Sequence, residues 1–301
     1  MNIIGKKNLY FIFSLVVIIP GLVSLILWGL PASIDFTGGS RLTLSFPKNV
    51  DQKTTNEIKS VFAAEKIDVS TIQTSGKQVF IRTGVLDQKK DTRVMEFLKR
   101  KVGNFKQEEF EIIGPVIGGE TTANAIKAVI LACILIVVYV VFAFRKVPKP
   151  ASSVRFGICA VVALIHDILV VVGLFSILGH FFKVEIDSLF ITALLTVLGF
   201  SVHDTIVVFD RIRENLRRMA GAPFATIVND SILQTIGRSL NTSLTVLLVL
   251  FAMLLFGGES IKWFVVALLV GIASGTYSSI FNAAPLLVVW DEWSRKRGKT
   301  T

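Results

Sequence analysis

The sequence predicts a polytopic α-helical membrane protein: six transmembrane helices, with an extracytoplasmic α+β ferredoxin-like (βαββαβ) domain between the first and second. Three observations predict it. Hydrophobic residues make up 52% of the 301 residues and charged residues only 18%, at a mean hydropathy of +0.66, too little charge for a soluble domain. Apolar runs of the ~20 residues that cross a bilayer recur along the chain. One long stretch, residues 31–121, has instead the mixed composition of a small soluble domain.

The formal net charge of +10 raises nucleic acid as a partner, but the positions of the basic residues exclude it. They flank the apolar runs on alternate loops, as the positive-inside bias requires. Cys133 and Cys159 both fall in apolar runs at unequal depths, which reads as small apolar filler rather than a disulfide or metal site.

Lys6 and Lys7 precede an apolar run over residues 9–30. It is longer than the ~7–15 residue core of a cleaved signal, so it reads as a retained first span with a cytoplasmic start. Pro20-Gly21 predicts a bend in it, because proline removes a backbone donor and crowds the preceding turn. Residues 1–30 thus form the N-terminus and first helix.

Within residues 31–121 the apolar period alternates between strand and helix. Residues 41–46 alternate as a strand, and Ile58, Val61 and Phe62 mark a helix over 54–65. Residues 69–74 and 78–83 read as two strands joined at Ser75-Gly76-Lys77. Val94, Phe97, Leu98 and Val102 mark a helix over 91–102, and residues 110–113 close the series as a strand. The order is that of the split βαβ arrangement. The flanks 34–39 and 114–119 are glycine-rich. Asp35, Gly38, Gly39, Gly114 and Pro115 are expected to form the junction between domain and membrane, with simple turn chemistry as the bland alternative.

Residues 122–293 hold the other five spans, at 123–144, 156–178, 189–209, 239–256 and 263–290. Arg145, Lys146, Lys149 and Arg155 follow the second span. A cytoplasmic loop over 210–238 carries Arg211, Arg213, Arg217 and Arg218, then an amphipathic stretch expected to lie at the interface. Residues 294–301 are a basic cytoplasmic tail with Arg295, Lys296, Arg297 and Lys299. Both termini are therefore expected on the cytoplasmic side.

The functional candidates are the ionisable residues inside the apolar runs: Asp204, Asp167, His166, His203 and Arg238. Such groups are costly in hydrocarbon, face a bundle interior or wet cavity, and mark ion pathways by default. The bland alternative is an Asp that only hydrogen-bonds helices together. His166-Asp167 lies roughly 16 Å along the third span, near the bilayer centre. Asp204 and Arg238 sit toward the cytoplasmic ends of consecutive spans; Arg238 either pairs with Asp204 or snorkels to the interface. Ser201 and Thr205 are four apart and suggest a polar strip. Gly199, Gly271 and Gly275 are expected to serve helix packing, with Ser274 and Ser278 on the same small-residue face.

No nucleotide loop, metal-ligand cluster or Ser/His/Asp constellation stands out, so neither an enzyme nor a cofactor or metal is expected, and an ion gradient is the expected energy source. An intramembrane aspartyl protease built on Asp167 and Asp204 is disfavoured by their unequal expected depths and by Gly-Phe-Ser-Val-His-Asp in place of Gly-x-Gly-Asp. A proton-driven small-molecule exporter shares the same ion chemistry.

Residues 199–215, together with Ile34-Asp35-Phe36-Thr37-Gly38-Gly39, Ala163-Leu164-Ile165-His166-Asp167, Arg238 with Asn241-Thr242-Ser243, and Gly275-Thr276-Tyr277-Ser278-Ser279, resemble the motifs of the SecD/SecF family of protein-export membrane proteins. The motifs occur in the family's order and cover nearly the whole chain. The resemblance implies the resistance-nodulation-division superfamily and the bacterial cytoplasmic (inner) membrane. It implies a SecD-like partner beside the SecYEG channel, and proton-motive-force-dependent help to a translocating unfolded polypeptide. It assigns proton-pathway roles to Asp204 and Arg238 and, more weakly, to Asp167 and His166. His203 departs from it, standing where Asn is often found, and any pathway residue of the SecD-like half is absent from this chain.

Overall fold

A computed structural model describes residues 2–148 and 151–297; Lys149 and Lys299, counted above in basic segments, lie outside the described residues. The described chain divides into two compact units.

The first unit comprises Met1–Leu30, Lys127–Val184 and Leu189–Thr301. Its helices are α1 (Lys7–Trp28), the part of α5 (Pro115–Ala143) from Lys127 on, α6 (Ser153–Phe182), α7 (Ser188–Arg218), α8 (Phe224–Phe256), α9 (Lys262–Ser278) and α10 (Ala284–Arg297). A π-helical segment, Ser279–Ala283, joins α9 to α10. Six helical stretches are long and apolar enough to cross a membrane, the last being α9 to α10 taken together. Burial inside the chain ranks them. The apolar windows of α6 and of the last stretch are 50% and 56% buried, that of α5 only 6%, so α6, α7 and α9 form the centre.

Close packing at the centre rests on small residues. A Cβ on Gly21 of α1 would come within 2.8 Å of the Gly173 backbone of α6, and Ser24 and Ser176 share a 2.8 Å hydrogen bond one turn further on. Gly21, expected to help bend α1, therefore serves contact, and the helix runs unbroken through Pro20. The rings of Phe144, Phe156 and Phe209 close the other end of the core, with centroids 4.7 Å apart for Phe156 and Phe209. Cys133 and Cys159 are free thiols. The amphipathic stretch expected at the interface is instead the first part of α8, because Phe224, Ile227, Val228 and Ile232 are buried in this core.

The second unit comprises Pro31–Ile126 with Glu185–Ser188. It contains α2 (Ile34–Thr37), β1 (Gly39–Ser45), α3 (Gln52–Ala64), β2 (Val69–Ser75), β3 (Gln78–Thr83), α4 (Gln88–Val102) and β4 (Lys106–Ile113). The sheet order is β2-β3-β1-β4, antiparallel at every pairing, which is the ferredoxin-like topology expected from the alternating periods. Asp51 and Asp87 start the two longer helices by accepting from the Thr54 and Lys90 amides. Leu42, Leu44, Val79 and Ile81 on one sheet face pack against Ile58, Phe62, Val94 and Leu98 of the helices.

The junction residues behave unequally. Gly38 (φ +73) and Gly39 (φ +126) occupy backbone conformations open to glycine, and a Cβ on Gly38 would lie 2.7 Å from Pro115 Cα. Asp35 Oδ2 accepts the Ser188 amide at 2.8 Å. Pro115 opens α5, whereas a Cβ on Gly114 would meet nothing within 4 Å. Arg82 of β3 donates to Ala32 O and Glu185 Oε1, and the Ser33 amide to Ile186 O. The segment Glu185–Ser188 is therefore a built part of this unit.

Candidate functional site

The site forms where α7 crosses α9 along a glycine seam. A Cβ on Gly271 would overlap the Val197 side chain, and one on Gly275 would lie 2.8 Å from Ser201 Cβ. The i, i+4 spacing of the two glycines keeps the seam on one face and lets the backbones approach. Gly199 takes no part in it: it is exposed, and a Cβ there meets nothing within 4 Å. Two residues before Ser201, it points well away from the seam.

Asp167 of α6 is 0% exposed. Its Oδ2 accepts from Ser201 Oγ at 2.6 Å and Ser278 Oγ at 2.8 Å. Its Oδ1 accepts from Ser274 Oγ at 2.7 Å and meets His166 Nδ1 at 3.0 Å. Three helices thus converge on one carboxylate. Ser274 and Ser278, expected only to pack, are its ligands.

Asp204 of α7 is 2% exposed. Its Oδ2 accepts from Ser243 Oγ of α8 and Thr276 Oγ1 of α9, both at 3.3 Å, and those two hydroxyls are 2.6 Å apart. Thr205 and Ser279 share a 2.8 Å bond, and Ser279 also donates to Ser201 O. The π-helical segment begins at Ser279, so the irregular turn starts at the site; such turns are frequent at functional positions.

The two carboxylates are at one level. Thr276, which holds Asp204, lies in the α9 sequence between Ser274 and Ser278, which hold Asp167. At about 100° per residue, Thr276 points to the opposite side of α9 from the two serines. The unequal depths expected from sequence are therefore corrected: α9, not depth, separates the pair. Among the described residues no hydrogen bond joins the two carboxyls, so a shared-proton dyad does not form.

Arg238 and His203 are exposed. Among the described residues no ion pair joins Arg238 to Asp204. Arg238 is five residues before Ser243, about 140° away around α8, so when Ser243 faces Asp204 the guanidinium does not. Arg238 instead lies among exposed Asn241, Thr242 and Thr245 of α8. Ser201 and Thr205, expected to line one polar strip, are both buried, the first bonded to Asp167 and the second to Ser279. Ser243, Thr276 and Ser279 had no signal of their own in the sequence beyond the motifs containing them, because lone hydroxyls in apolar helices are common.

Fold and site together define a multi-pass membrane protein with two buried carboxylates cradled by hydroxyls. The family model for "Protein export membrane protein SecD/SecF, C-terminal" matches residues 93–293. The protein translocase subunit SecF of Thermobaculum terrenum is 46% identical over 97% of this chain and 94% of its own. That of Anaerolinea thermophila is 42% identical over 99% and 98%. The crystal structure of SecDF from Thermus thermophilus, described as a translocon-associated membrane protein, superposes with a TM-score of 0.83 at 32% identity, covering 97% of this chain and 39% of that one. The chain belongs to the SecD/SecF family of protein-export membrane proteins.

Proposed function

We propose that this chain is the SecF-type subunit of a bacterial protein-export complex. It works in the inner membrane with a SecD-like partner beside a SecYEG-type channel, using the proton motive force to promote late translocation of unfolded polypeptide. One observation carries this reading: the two helices that meet at buried Asp204 each expose polar side chains, His203 and Thr196 on α7 and Arg238, Asn241 and Thr242 on α8. Such side chains do not suit lipid, since polar groups in hydrocarbon turn to protein or water. They suit a partner whose own polar residues complete the Asp204 site, as expected of a half-complex whose SecDF relative is more than twice as long.

Within this chain, a hydroxyl-lined carboxylate accommodates both of its protonation states. Ser and Thr hydroxyls donate to the ionised form and turn to accept from the protonated one. Proton uptake at Asp204 thus needs only rotation of Ser243 and Thr276. The proton is read as the working ion because a carboxylate held by hydroxyls can bind and release it. No enzymatic step is required.

The test is cross-linking. With Cys133 and Cys159 replaced, a cysteine at position 241 should join a co-expressed SecD-like protein, whereas one at lipid-facing position 135 should not. Cross-linking only between copies of this chain would favour the small-molecule exporter. Orientation is checked in intact cells: an impermeant reagent should label position 60 and spare position 220, in keeping with an extracytoplasmic domain and cytoplasmic termini.

A further inference from the structure

We propose that Arg145, Lys146, Arg155 and Arg217 form a binding site for the phosphate of an anionic phospholipid, at the end of the bundle where the basic loops lie. Such a site stands whether or not the export reading holds.

The four residues come from three segments that one aromatic contact draws together. The Phe144 ring, just past α5, packs on Phe156 of α6 and Phe209 of α7, at 5.1 and 6.0 Å between centroids. Arg145 and Lys146 directly follow that ring, and Arg155 directly precedes Phe156. Arg217, about two turns along α7 from Phe209, donates from Nη2 to Lys146 O at 3.4 Å. One turn below, α5 and α6 cross closely: a Cβ on Gly157 would lie 2.6 Å from Val141 Cγ2. The cations therefore share one corner of the bundle.

Two kinds of cation stand at this corner. Arg211 and Arg218 pair with Glu214, and Arg213 pairs with Asp210, all within α7. Arg145, Lys146, Arg155 and Arg217 have no acidic partner among the described residues. Basic residues that served only to orient the chain in the membrane would need no common location. Gathered like charges repel one another, and a bound anion offsets that repulsion.

The donors suit phosphate. Guanidinium groups present paired, planar N–H donors that match its oxygens, and one bond to Lys146 O leaves most of those of Arg217 open. The N-terminus of α6, capped by Ser152 and without an acidic side chain in its first turn, adds a partial positive charge.

The surroundings suit a lipid rather than a soluble phosphate. The Arg145 guanidinium lies 4.1 Å from the centroid of the Phe142 ring, and Phe142, Val138 and Leu135 continue along α5 as an exposed apolar stripe. Val154 and Ile158 are exposed on α6. A phosphate held by the cations thus has apolar surface beside it for acyl chains. A zwitterionic headgroup brings its own cation to the site, whereas phosphatidylglycerol brings net negative charge, so the site selects the latter.

The test is native mass spectrometry of the purified full chain, equilibrated in detergent with equal amounts of phosphatidylglycerol and phosphatidylcholine. Wild type should retain phosphatidylglycerol about fivefold over phosphatidylcholine. Arg145→Gln/Arg217→Gln, which alters two exposed side chains, should retain the two lipids nearly equally. Arg211→Gln/Arg218→Gln removes the same charge from ion-paired positions and should keep the wild-type preference. Millimolar glycerol 1-phosphate should displace none of the lipid from wild type, and this arm needs no variant to fold. Equal retention of the two lipids by wild type, or equal loss of preference in both double variants, would overturn the proposal and leave the cations as topology determinants. Displacement by glycerol 1-phosphate would overturn it in favour of a soluble phosphate.

Discussion

Asp167 and Asp204 lie at one level on opposite sides of α9, yet they are held in opposite ways. Asp167 has four partners at 2.6 to 3.0 Å, spread over both oxygens. Asp204 has two at 3.3 Å, both on Oδ2, beyond the usual 2.5–3.0 Å for hydroxyl donors. Behind Asp167 stands the most buried part of the bundle; the helices that meet at Asp204 expose His203 and Arg238. The difference teaches that one carboxylate is fully hydrogen-bonded within this chain and the other only loosely held, as the proposed completion of its site by a partner requires.

The sharpest way to break this contrast is truncation. Asp167→Ala leaves the Ser201 and Ser274 hydroxyls and His166 Nδ1 without their partner, Ser278 keeping only Gly275 O at 3.2 Å, and should destabilise the purified chain by on the order of 3 kcal/mol. Asp204→Ala removes two long hydrogen bonds from hydroxyls that retain backbone or mutual partners, and should cost about 1 kcal/mol. Thermal unfolding in detergent compares them, and equal losses would mean that the two sites are equally self-contained.

The seam between the sites gives a second contrast. Gly275→Val must displace Ser201 and should cost about 1–3 kcal/mol while disturbing Asp167. Gly199→Ala enters open space and should be neutral or gain a few tenths of a kcal/mol from helix propensity. A loss at Gly199 that appears only in the assembled complex would show that the partner packs on it.

Much of the architecture was legible in the sequence because it follows from period and length. The βαββαβ order came from alternation at residues 41–46 and 78–83 and from the helical stripe of Val94, Phe97, Leu98 and Val102, of which Phe97 is 42% exposed and lies off the buried face. The six spans came from apolar runs and basic loops. The site was legible as a set of ionisable residues but not as a geometry. That Ser274 and Ser278 serve one carboxylate and Thr276 the other depends on which way α9 faces, and its glycines permit close approach from several directions. The depth estimate for Asp204 failed because α7 continues to Arg218, well past the apolar run that ends at residue 209, so counting from that end misplaced it relative to Asp167 on α6. The π-helical turn at Ser279 had no sequence signal at all.

Arg238→Ala sharpens the comparison from the exposed side. Arg238 has no ion pair to Asp204 among the described residues, so the isolated chain should unfold within about 0.5 kcal/mol of wild type. Export by the assembled complex should nevertheless fall. A stability loss in the isolated chain would mean that Arg238 acts inside it.

The smallest expected effect lies in the second unit and calibrates the others. Asp91 is buried on α4, where desolvation raises its carboxyl above the ordinary range despite donation from Gln107. A raised folded pKa means that the folded state binds the proton more tightly. That contribution is present in acid, below the unfolded value near 3.8, and is lost as pH rises through the folded pKa. Asp91→Asn should therefore flatten this part of the pH–stability profile of a fragment spanning residues 35–115 and make it slightly more stable at neutral pH. A fragment that does not fold would show that the unit needs Glu185–Ser188.

The central claim is that Asp204 takes up and releases the proton that drives export. It is tested most directly by proton flux in proteoliposomes holding the complete complex, compared between wild type and Asp204→Asn at equal assembly. The amide nearly preserves size and can still bond Ser243 and Thr276 but cannot ionise, so gradient-driven flux and export should both fall to background. Wild-type flux and export in assembled Asp204→Asn complexes would contradict the account and leave Asp204 as a helix-packing residue.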